Sequence, residues 1–345
     1  MQIDDFSFEN IKAKKFFLEN ENIKLVLTNF GATIISIFTK DKDDVFDDII
    51  CGFDTLKEYY EDTQKVYFGA TIGRCANRIA NGEFEINSKK YIVAKNAGQC
   101  HLHGGIKGFS YKVFDYKIIS EKEILFIYFS EDMEEGYPGN LSLKVTYKLS
   151  GNTLKIIYDG VCDKDTICNI TNHAYFNLDG HKSKDVTNHI IKMDCEGYAI
   201  YDDNFIPMSI GDVSKTSVDF NIEKSISKAI DFKDKSVKLS KGLDHHFNLK
   251  EISFDNPKES PQFLIYSPKS NRSLKIKTTQ RGMQVYTANY FNNINGKDGA
   301  IYGQRSAVAL EMQNIPNAIN SDKSSILKKC QAYHQQSDYI FGLIK

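Results

Sequence analysis

Strict alternation of apolar and polar residues between positions 141 and 149 constrains the fold of this chain more than any other feature. Side chains two apart share one face of a β-strand, so this period of two predicts a strand with one buried face. The alternation resumes at residues 154–158, after the turn pair Gly151-Asn152, which predicts an antiparallel hairpin. The apolar members of the first run are Leu141, Leu143, Val145, Tyr147 and Leu149.

Further strands and a few short helices are predicted elsewhere. Asn81-Gly82 lies between Arg78-Ile79 and Glu83–Ile86, which predicts a second hairpin. Helical patterns are few and short, and the best of them are Asp54–Glu61 and Ile226–Phe232. Many short strands without βα alternation predict an all-β sandwich or barrel. The remaining β-rich runs are Ile23–Leu27, Ile124–Phe129, Phe263–Tyr266, Leu274–Lys277 and Met283–Tyr290.

The chain shows no sign of division into several domains. Its 345 residues contain no internal repeat, low-complexity tract or Pro/Ser-rich linker, and all-β domains often exceed roughly 200 residues. We therefore expect a single domain over residues 1–345. The Lys/Ser/Asp-rich stretch from Ser214 to Lys241 has little periodicity and is predicted to be an irregular surface excursion.

Composition excludes several classes of partner. The 44 Lys and Arg residues nearly balance the 45 Asp and Glu residues, leaving a formal charge of −1, so no electrostatic footprint for nucleic acid or an anionic membrane surface is present. No window approaches the roughly 18 apolar residues of a membrane span. The opening segment also lacks the basic and apolar regions of a signal peptide. We expect a cytoplasmic protein.

The seven cysteines are odd in number and form no CxxC pair. A disulfide framework or a zinc knuckle would show tighter, paired spacing. We interpret them as reduced and mostly buried side chains.

Glu311 is the sharpest catalytic candidate, because it is the one carboxylate in the apolar run Val308–Met312. An ionised carboxylate that loses hydration must be paired, be hydrogen-bonded or have a raised pKa. A raised pKa suits a general base that works near neutral pH. The alternative is that Glu311 points outward from an edge strand.

His173 lies in the segment Thr171–Leu178. In a continuous strand, Thr171, His173 and Tyr175 would share one face. An imidazole beside an aromatic ring provides a general acid next to a platform for the apolar face of a sugar. The alternative is a core histidine whose hydrogen bonds are satisfied.

Two histidine motifs are similar to known metal-binding motifs, but neither is complete. His101-Leu102-His103 puts two imidazoles on one predicted strand face before Gly104-Gly105, which permits a tight turn or close approach to a ligand. A cupin metal site would need a glutamate a few residues later, and none follows. Asp244-His245-His246 matches the signature of DHH phosphoesterases, but their further Asp-rich motifs and α/β scaffold are missing. We expect no metal site.

Asn77-Arg78 and Asp244 are candidates for binding hydroxyl groups. The Gly-rich run before Asn77 lacks the spacing of a phosphate loop. Asn and Arg side by side offer fixed donors to sugar hydroxyls, although a plain surface turn explains each equally well alone. For Asp244, the alternative is an exposed loop carboxylate.

Together these segments resemble the aldose 1-epimerases, also called galactose mutarotases, from near residue 23 almost to the end. Any one segment alone identifies the family weakly, but eight segments occur in the same order as in the family. They are Asn29–Ala32, Gly73–Gly82, Leu102–Gly105, Glu135–Gly139, Thr171–Leu178, Leu243–His245, Gln280–Thr287 and Leu310–Asn314.

The resemblance implies a large, single-domain twisted β-sandwich with few short helices and an open cleft on one sheet. It implies an enzyme of hexose metabolism that interconverts the α and β anomers of a free hexose, such as galactose or glucose, without a cofactor. By position, Glu311 matches the family's general base and His173 its general acid. Arg281 stands where relatives often carry Pro. The positions that match sugar-binding residues are Asn77, Arg78, His103, Asp244 and Gln284, with Tyr175 beside them.

Two other functions stay open at this point. A catalytically idle sugar-binding protein would keep Asn77, Arg78 and Asp244 but lose Glu311 or His173, and both are present. An epimerase of phosphorylated hexoses would need a cluster of arginines for a dianion, and the arginines here do not converge by spacing. We expect a small-molecule sugar as the partner, no nucleic acid or membrane, and a monomer or a homodimer.

Overall fold

The alternating segments form long antiparallel strands in a computed structural model, which describes residues 1–256 and 259–344. Leu141–Ser150 and Thr153–Cys162 pair across Gly151-Asn152, which confirms the first predicted hairpin. These two strands belong to a nine-stranded sheet. Its order is Asp115–Ser120, Glu123–Ser130, Leu141–Ser150, Thr153–Cys162, Ala332–Leu343, Arg272–Thr278, Phe263–Tyr266, Ile190–Met193 and Lys224–Ser225.

A six-stranded sheet carries the segments that match the family's catalytic residues. Its order is Tyr175–Phe176, Val308–Met312, Gly282–Tyr286, Asp244–Leu249, Cys195–Tyr201 and Pro207–Gly211. A five-stranded sheet near the start of the chain has the order Gln2–Asp5, Lys14–Glu19, Ile23–Thr28, Thr33–Lys40 and Phe46–Asp48.

The described residues also form five short two-stranded ladders. They pair Thr71–Ile72 with Thr171–Asn172, Arg78–Ile79 with His101–Leu102, Glu83–Ile86 with Lys89–Ile92, Thr166–Ile167 with Ile326–Leu327, and Ile294–Asn295 with Ile301–Tyr302.

Helices are few and short. Thr55 and Glu58 form a reciprocal capping box that starts the first helix, because each side chain accepts the other's backbone N–H. In the part of the chain described, no helix has the length and apolarity that crossing a membrane requires. The α-helices are Leu56–Tyr60, Ile226–Ala229 and Lys235–Ser240, and the 3₁₀ turns are Ala80–Gly82, Phe109–Tyr111, Glu134–Gly136, Lys297–Gly299 and Ala318–Asn320.

The inner faces of the three large sheets share one hydrophobic core. Its members include Leu25 of the five-stranded sheet, Tyr147 of the nine-stranded sheet and Leu310 of the six-stranded sheet, all buried. Strands make up 45% of the structure and helices 9%, so the expected all-β sandwich is confirmed. None of the seven cysteines forms a disulfide, and six are buried; only Cys330 is exposed.

The second predicted hairpin is wrong. Arg78–Ile79 pairs with His101–Leu102, and Glu83–Ile86 pairs with Lys89–Ile92 instead. Asn81 and Gly82 do adopt the left-handed backbone of a tight turn, with φ of 56° and 60°. Their turn is a 3₁₀ turn that passes the chain from one ladder to another, and the Gly82 carbonyl accepts the N–H of Val93.

The prediction for residues 214–241 is also wrong. The stretch contains two helices and contributes buried apolar side chains to the core, namely Val218, Phe220, Ile226, Ala229 and Val237. Because these apolar residues occur singly among polar ones, their burial leaves no regular apolar period in the sequence. The predicted strand Met283–Tyr290 ends earlier, at Tyr286, because the Thr287 hydroxyl accepts the N–H of Leu243 and Ala288 turns to a φ of 49°.

Candidate active site

The register of the six-stranded sheet aligns four polar residues in one row. Glu311 pairs with Gln284, and Gln284 pairs with His246 on the next strand. On the other side, Tyr175 pairs with Ala309. Continuing that antiparallel register places His173 opposite Glu311. The row therefore runs His173, Glu311, Gln284, His246 across neighbouring chain segments.

A cavity of about 210 Å³ is lined by His173 and Glu311 of this row. It is smaller than the roughly 300–1,000 Å³ clefts that hold drug-sized ligands, so it suits a small molecule. Cavities of about 620 Å³ and 550 Å³ lie elsewhere among the described residues, and no predicted site residue lines either one. The predicted residues that line the small cavity are Asn77, Arg78, His103, His173, Tyr175, Asp244 and Glu311.

His173 and Glu311 face each other at the wall of the cavity. Nε2 of His173 lies 3.5 Å from Oε1 of Glu311, and both side chains are almost fully buried. Glu311 is thus a central-strand residue, and the edge-strand alternative is excluded. Oε2 of Glu311 and Nδ1 of His173 are buried without a hydrogen-bond partner in the part of the chain described. These two atoms retain hydrogen-bonding capacity for a ligand.

Burial shifts the pKa values of this pair in opposite directions. Desolvation, with a smaller contribution from the Asp244 carboxylate, raises the pKa of Glu311 well above its usual range. Desolvation lowers the pKa of His173 to about 4. Both shifts favour the uncharged form of the group, so the pair favours a carboxylic acid beside a neutral imidazole.

The expectation of one continuous strand through His173 is wrong. Thr171–Asn172 pairs with Thr71–Ile72, whereas Tyr175–Phe176 pairs with Val308–Met312. His173 lies in the step between these two ladders. Its ring still lies beside that of Tyr175, with 5.0 Å between centroids, so the aromatic neighbour predicted for the imidazole is present.

His103 enters the cavity and His101 does not. His101 bonds to the Ala94 carbonyl and the Tyr137 hydroxyl in the interior. The shared strand face predicted for the two histidines is therefore wrong. The chain leaves the strand at His103, where φ is 50°. At Gly104, a Cβ atom would lie 1.8 Å from the Gly73 carbonyl oxygen, so this glycine serves close packing of backbone on backbone.

Asn77 holds the ring of His103 in one tautomer. Its backbone N–H donates to Nδ1 of His103 over 3.2 Å, and its carbonyl accepts the N–H of His103. Because Nδ1 accepts this hydrogen bond, the neutral ring carries its own hydrogen on Nε2. His103 therefore offers an N–H donor to a ligand.

The tautomer of His103 also affects whether this histidine can bind a metal ion. His103, His173 and Glu311 have ligand atoms within 4.8 Å of one another, a spacing that a metal ion could use. A metal-bound histidine needs a lone pair on the coordinating nitrogen and donates its other N–H to an acceptor. Nδ1 of His103 faces a donor instead. The residues present suit a hydroxyl group better than a metal ion.

Asp244 and Gln284 form a polar pair on the neighbouring strands. Asp244 begins the strand Asp244–Leu249 and so is not the loop residue of the alternative interpretation. Nε2 of Gln284 donates to Oδ1 of Asp244 over 2.6 Å, from just outside the residues that line the cavity. Burial raises the pKa of Asp244, while Arg78 and the Gln284 amide act to lower it.

The cavity also has an aromatic wall that the sequence did not predict. It consists of Tyr67, Tyr286, Tyr290 and Phe291. The ring of Tyr67 lies 5.0 Å from that of His103 and 5.9 Å from that of His173. Phe291 packs on Tyr175 at 4.9 Å. Tyr67 is a loop residue with a φ of 57°, and no pattern in the sequence around it marks it as a cavity residue. Tyr286 lies inside Gln280–Thr287, a segment already matched to the family.

Comparison with known proteins identifies the family. The aldose 1-epimerase family profile matches residues 14–339. A galactose mutarotase from Sus scrofa is 34% identical over 96% of this chain and 94% of its own. An aldose 1-epimerase from Haemophilus influenzae is 35% identical over 94% of each chain.

Solved structures with similar names superpose on nearly the whole chain. An aldose epimerase homologue from C. elegans superposes with a TM-score of 0.87 at 28% identity, over 96% of this chain and 100% of its own. A galactose 1-epimerase from Lactobacillus acidophilus gives 0.86 at 26% identity, over 100% of this chain and 99% of its own. The family profile covers nearly the whole sequence, and this chain belongs to the aldose 1-epimerase family.

Proposed function

We propose that this protein is an aldose 1-epimerase that interconverts the α and β anomers of free hexoses such as galactose and glucose. One observation carries the proposal. A carboxyl group and an imidazole face each other over 3.5 Å, both buried, at the wall of a small polar cavity. Such a pair supplies the general base and the general acid that opening a hemiacetal requires.

The reaction needs two coupled proton transfers. Glu311 takes the proton from the anomeric hydroxyl while His173 gives a proton to the ring oxygen, and the bond between C1 and the ring oxygen breaks. Rotation about the C1–C2 bond presents the other face of the aldehyde. On reclosure, the ring hydroxyl attacks C1 and gives its proton to His173, while Glu311 gives its proton to the carbonyl oxygen. Each positioned transfer contributes about 10²–10⁴-fold to the rate.

The pair holds the same number of protons throughout this cycle. With the ring closed, the reactive form is a carboxylate beside an imidazolium. After ring opening, it is a carboxylic acid beside a neutral imidazole. Desolvation favours the second form, because it raises the pKa of Glu311 and lowers that of His173. The buried environment therefore assists proton transfer in the ring-opening direction.

The remaining polar residues hold the sugar while C1 turns. Asn77, Arg78, His103 and Asp244 line the cavity and offer donors or acceptors to hydroxyl groups. The side-chain amide of Gln284 donates a hydrogen bond to Asp244. The ring of Tyr175 lies beside that of His173.

The two alternative functions have less support. An idle binding protein does not explain why Glu311 and His173 lie opposite each other. For a sugar phosphate, only Arg78 and Lys65 supply positive charge among the residues that line the cavity. The Arg74 guanidinium is buried and bonds to Ser130, Glu131, Pro138, Gly139 and Thr166 instead. The proposed substrate is thus a free sugar. The cytoplasmic location and the monomer or homodimer remain sequence predictions.

Polarimetry with a panel of free aldoses tests the proposal. The protein should accelerate the approach of α-galactose and α-glucose to anomeric equilibrium over the buffer rate. Glucose 6-phosphate should be converted with a lower kcat/KM than glucose. No acceleration with any free aldose would refute the function, and preference for the phosphate would refute the substrate class.

A further inference from the structure

The turn at residues 202–206 borders the candidate active site without lining its cavity. It connects the strands Cys195–Tyr201 and Pro207–Gly211. Neither Tyr201 nor Phe205 is among the residues that line the cavity. Both nevertheless contact residues that we propose bind the sugar, and each contact leaves hydrogen-bonding groups of its partner available.

Tyr201 fixes the side-chain amide of Gln284. Its hydroxyl accepts the backbone N–H of His246 over 3.1 Å and donates its single hydrogen to Oε1 of Gln284 over 3.3 Å. Burial raises the pKa of Tyr201 well above its usual value, so the hydroxyl keeps that hydrogen. The amide oxygen is thereby held toward Tyr201.

The amide nitrogen consequently faces Asp244. Nε2 of Gln284 donates one hydrogen to Oδ1 of Asp244 over 2.6 Å, which leaves the second amide hydrogen and Oδ2 of Asp244 for other partners. A primary amide has nearly the same shape when it is flipped. A flipped amide would turn its oxygen toward the Asp244 carboxylate, and Tyr201 opposes that flip from the other end.

Phe205 supports Arg78 in a comparable way. The guanidinium carbon of Arg78 lies 4.8 Å from the centroid of the Phe205 ring, within the range of a cation–π contact. Throughout the described residues, no protein acceptor hydrogen-bonds to this guanidinium, so the ring holds the group without occupying its donors. Oδ1 of Asp202 accepts the N–H groups of Asn204 and Ile206, each over 2.9 Å, which fixes the turn.

We infer that Tyr201 and Phe205 are positioning residues that aim Gln284, Asp244 and Arg78 at the sugar hydroxyls, and that this one turn sets how tightly the sugar is held. The inference rests on the proposed function. Neither residue contacts His173 or Glu311 through any described hydrogen bond or ring contact, so the proton-transfer pair is left intact when either is changed.

Kinetics of Tyr201→Phe and Phe205→Leu test this inference. KM for galactose should rise about five- to tenfold in Tyr201→Phe, the range that one hydrogen bond provides, while kcat stays within about twofold. Phe205→Leu should raise KM about fivefold. The matched control is Tyr198→Phe, because Tyr198 lies on the same strand and packs on His245 instead. Its constants should stay within about twofold of wild type.

A double-mutant cycle separates positioning from a general structural role. In a Gln284→Ala background, Tyr201→Phe should raise KM by no more than about twofold, because the residue it aims is gone. In an Arg78→Ala background, Phe205→Leu should behave likewise. A wild-type KM in Tyr201→Phe would overturn the inference, and so would a full further increase in the Gln284→Ala background or a loss confined to kcat.

Calorimetric titration with galactose keeps this test independent of catalysis. If the wild-type protein binds galactose but does not catalyse mutarotation, the proposed function fails, and weaker binding by Tyr201→Phe still supports the inference. Thermal melting confirms that each variant folds. If Tyr201→Phe does not fold, the Phe205→Leu and Arg78→Ala pair decides the inference alone.

Discussion

His173 and Glu311 face each other from opposite positions of one antiparallel register, with 3.5 Å between Nε2 and Oε1. The backbone ladder sets this separation, because Tyr175 and Ala309 pair two residues away on the same two segments. In the proposed reaction the two groups act as one unit, and changes to either should affect catalysis more than binding.

Glu311→Gln should nearly abolish mutarotation, with kcat below a tenth of the wild-type value. The amide keeps the shape of the side chain and a hydrogen-bonding oxygen, but it cannot take the proton of the anomeric hydroxyl. Galactose affinity should change by less than tenfold, or about 1.4 kcal/mol. Coupled-assay kinetics and calorimetry on one preparation measure both. The surface variant Glu83→Gln is the control, and a Glu311→Gln kcat above a tenth of wild type would refute the assignment of the base.

Arg78→Ala should raise KM more than it lowers kcat. In the proposed complex the guanidinium binds hydroxyls that do not react, so its loss should weaken ground state and transition state alike. A charged hydrogen bond contributes about 1.5–3 kcal/mol, which predicts a rise in KM of roughly 10- to 100-fold. Steady-state polarimetry over a range of galactose concentrations measures both constants. A fall in kcat with unchanged KM would place Arg78 in the chemical step.

The pH dependence of kcat/KM should be bell-shaped. The His173–Glu311 pair is active when it holds one proton. Because burial lowers the pKa of His173 to about 4, the second proton binds, and activity falls, only as the pH approaches 4. Because the pKa of Glu311 is raised, the pair loses its proton above the usual carboxyl range, which gives the alkaline limb.

Initial rates from pH 4 to 10, corrected for the buffer-catalysed reaction, test this profile. An acidic limb near pH 6.5, the ordinary pKa of histidine, would show that His173 is not desolvated in the active enzyme.

Activity should survive dialysis against EDTA without change. The backbone N–H of Asn77 donates to Nδ1 of His103, so Nε2 carries the ring hydrogen and is not available as a metal ligand. Polarimetric rates before and after dialysis, with elemental analysis of the same sample, provide the measurement. Activity that is lost in EDTA and restored by a divalent ion would contradict this prediction.

The sequence predicts the regular strands better than the connections between them. The run Leu141–Ser150 has one buried face, and its period of two follows directly. Asn81-Gly82 has the backbone of a hairpin turn, but long-range pairing with His101–Leu102 decides where the chain goes. Local turn chemistry does not contain that information.

The sequence predicts the polar residues of the cavity better than its aromatic residues. Glu311 is conspicuous because a carboxylate among apolar residues is unusual, and it proves to be buried. Tyr67 and Phe291 are aromatic residues in a chain rich in them, and both lie in connections just outside the matched segments, so no local pattern marks their place at the cavity. The opposition of His173 and Glu311 requires the sheet register, which no local pattern specifies.

Gly104→Ala should destabilise the fold more than Gly98→Ala. Both glycines have positive φ, 82° and 60°, so each substitution costs about 1–2 kcal/mol of backbone strain. The new Cβ atom at position 104 would lie 1.8 Å from the Gly73 carbonyl, whereas none of the described atoms lies within 4 Å at position 98. Urea unfolding should show a loss of about 3 kcal/mol or more for Gly104→Ala. Equal losses would mean that the Gly73 contact relaxes freely.

The left-handed backbone at Asn77 and His103, with φ of 60° and 50°, restricts how this lineage can evolve. Glycine would relieve the backbone but delete the amide or the imidazole, and most other side chains would add strain without restoring either. A substitution at either position must therefore satisfy two separate requirements, the backbone conformation and the side-chain chemistry. Tyr290 and Phe291 line the same cavity without positive φ, so adaptation to a different sugar has more mutational routes through them.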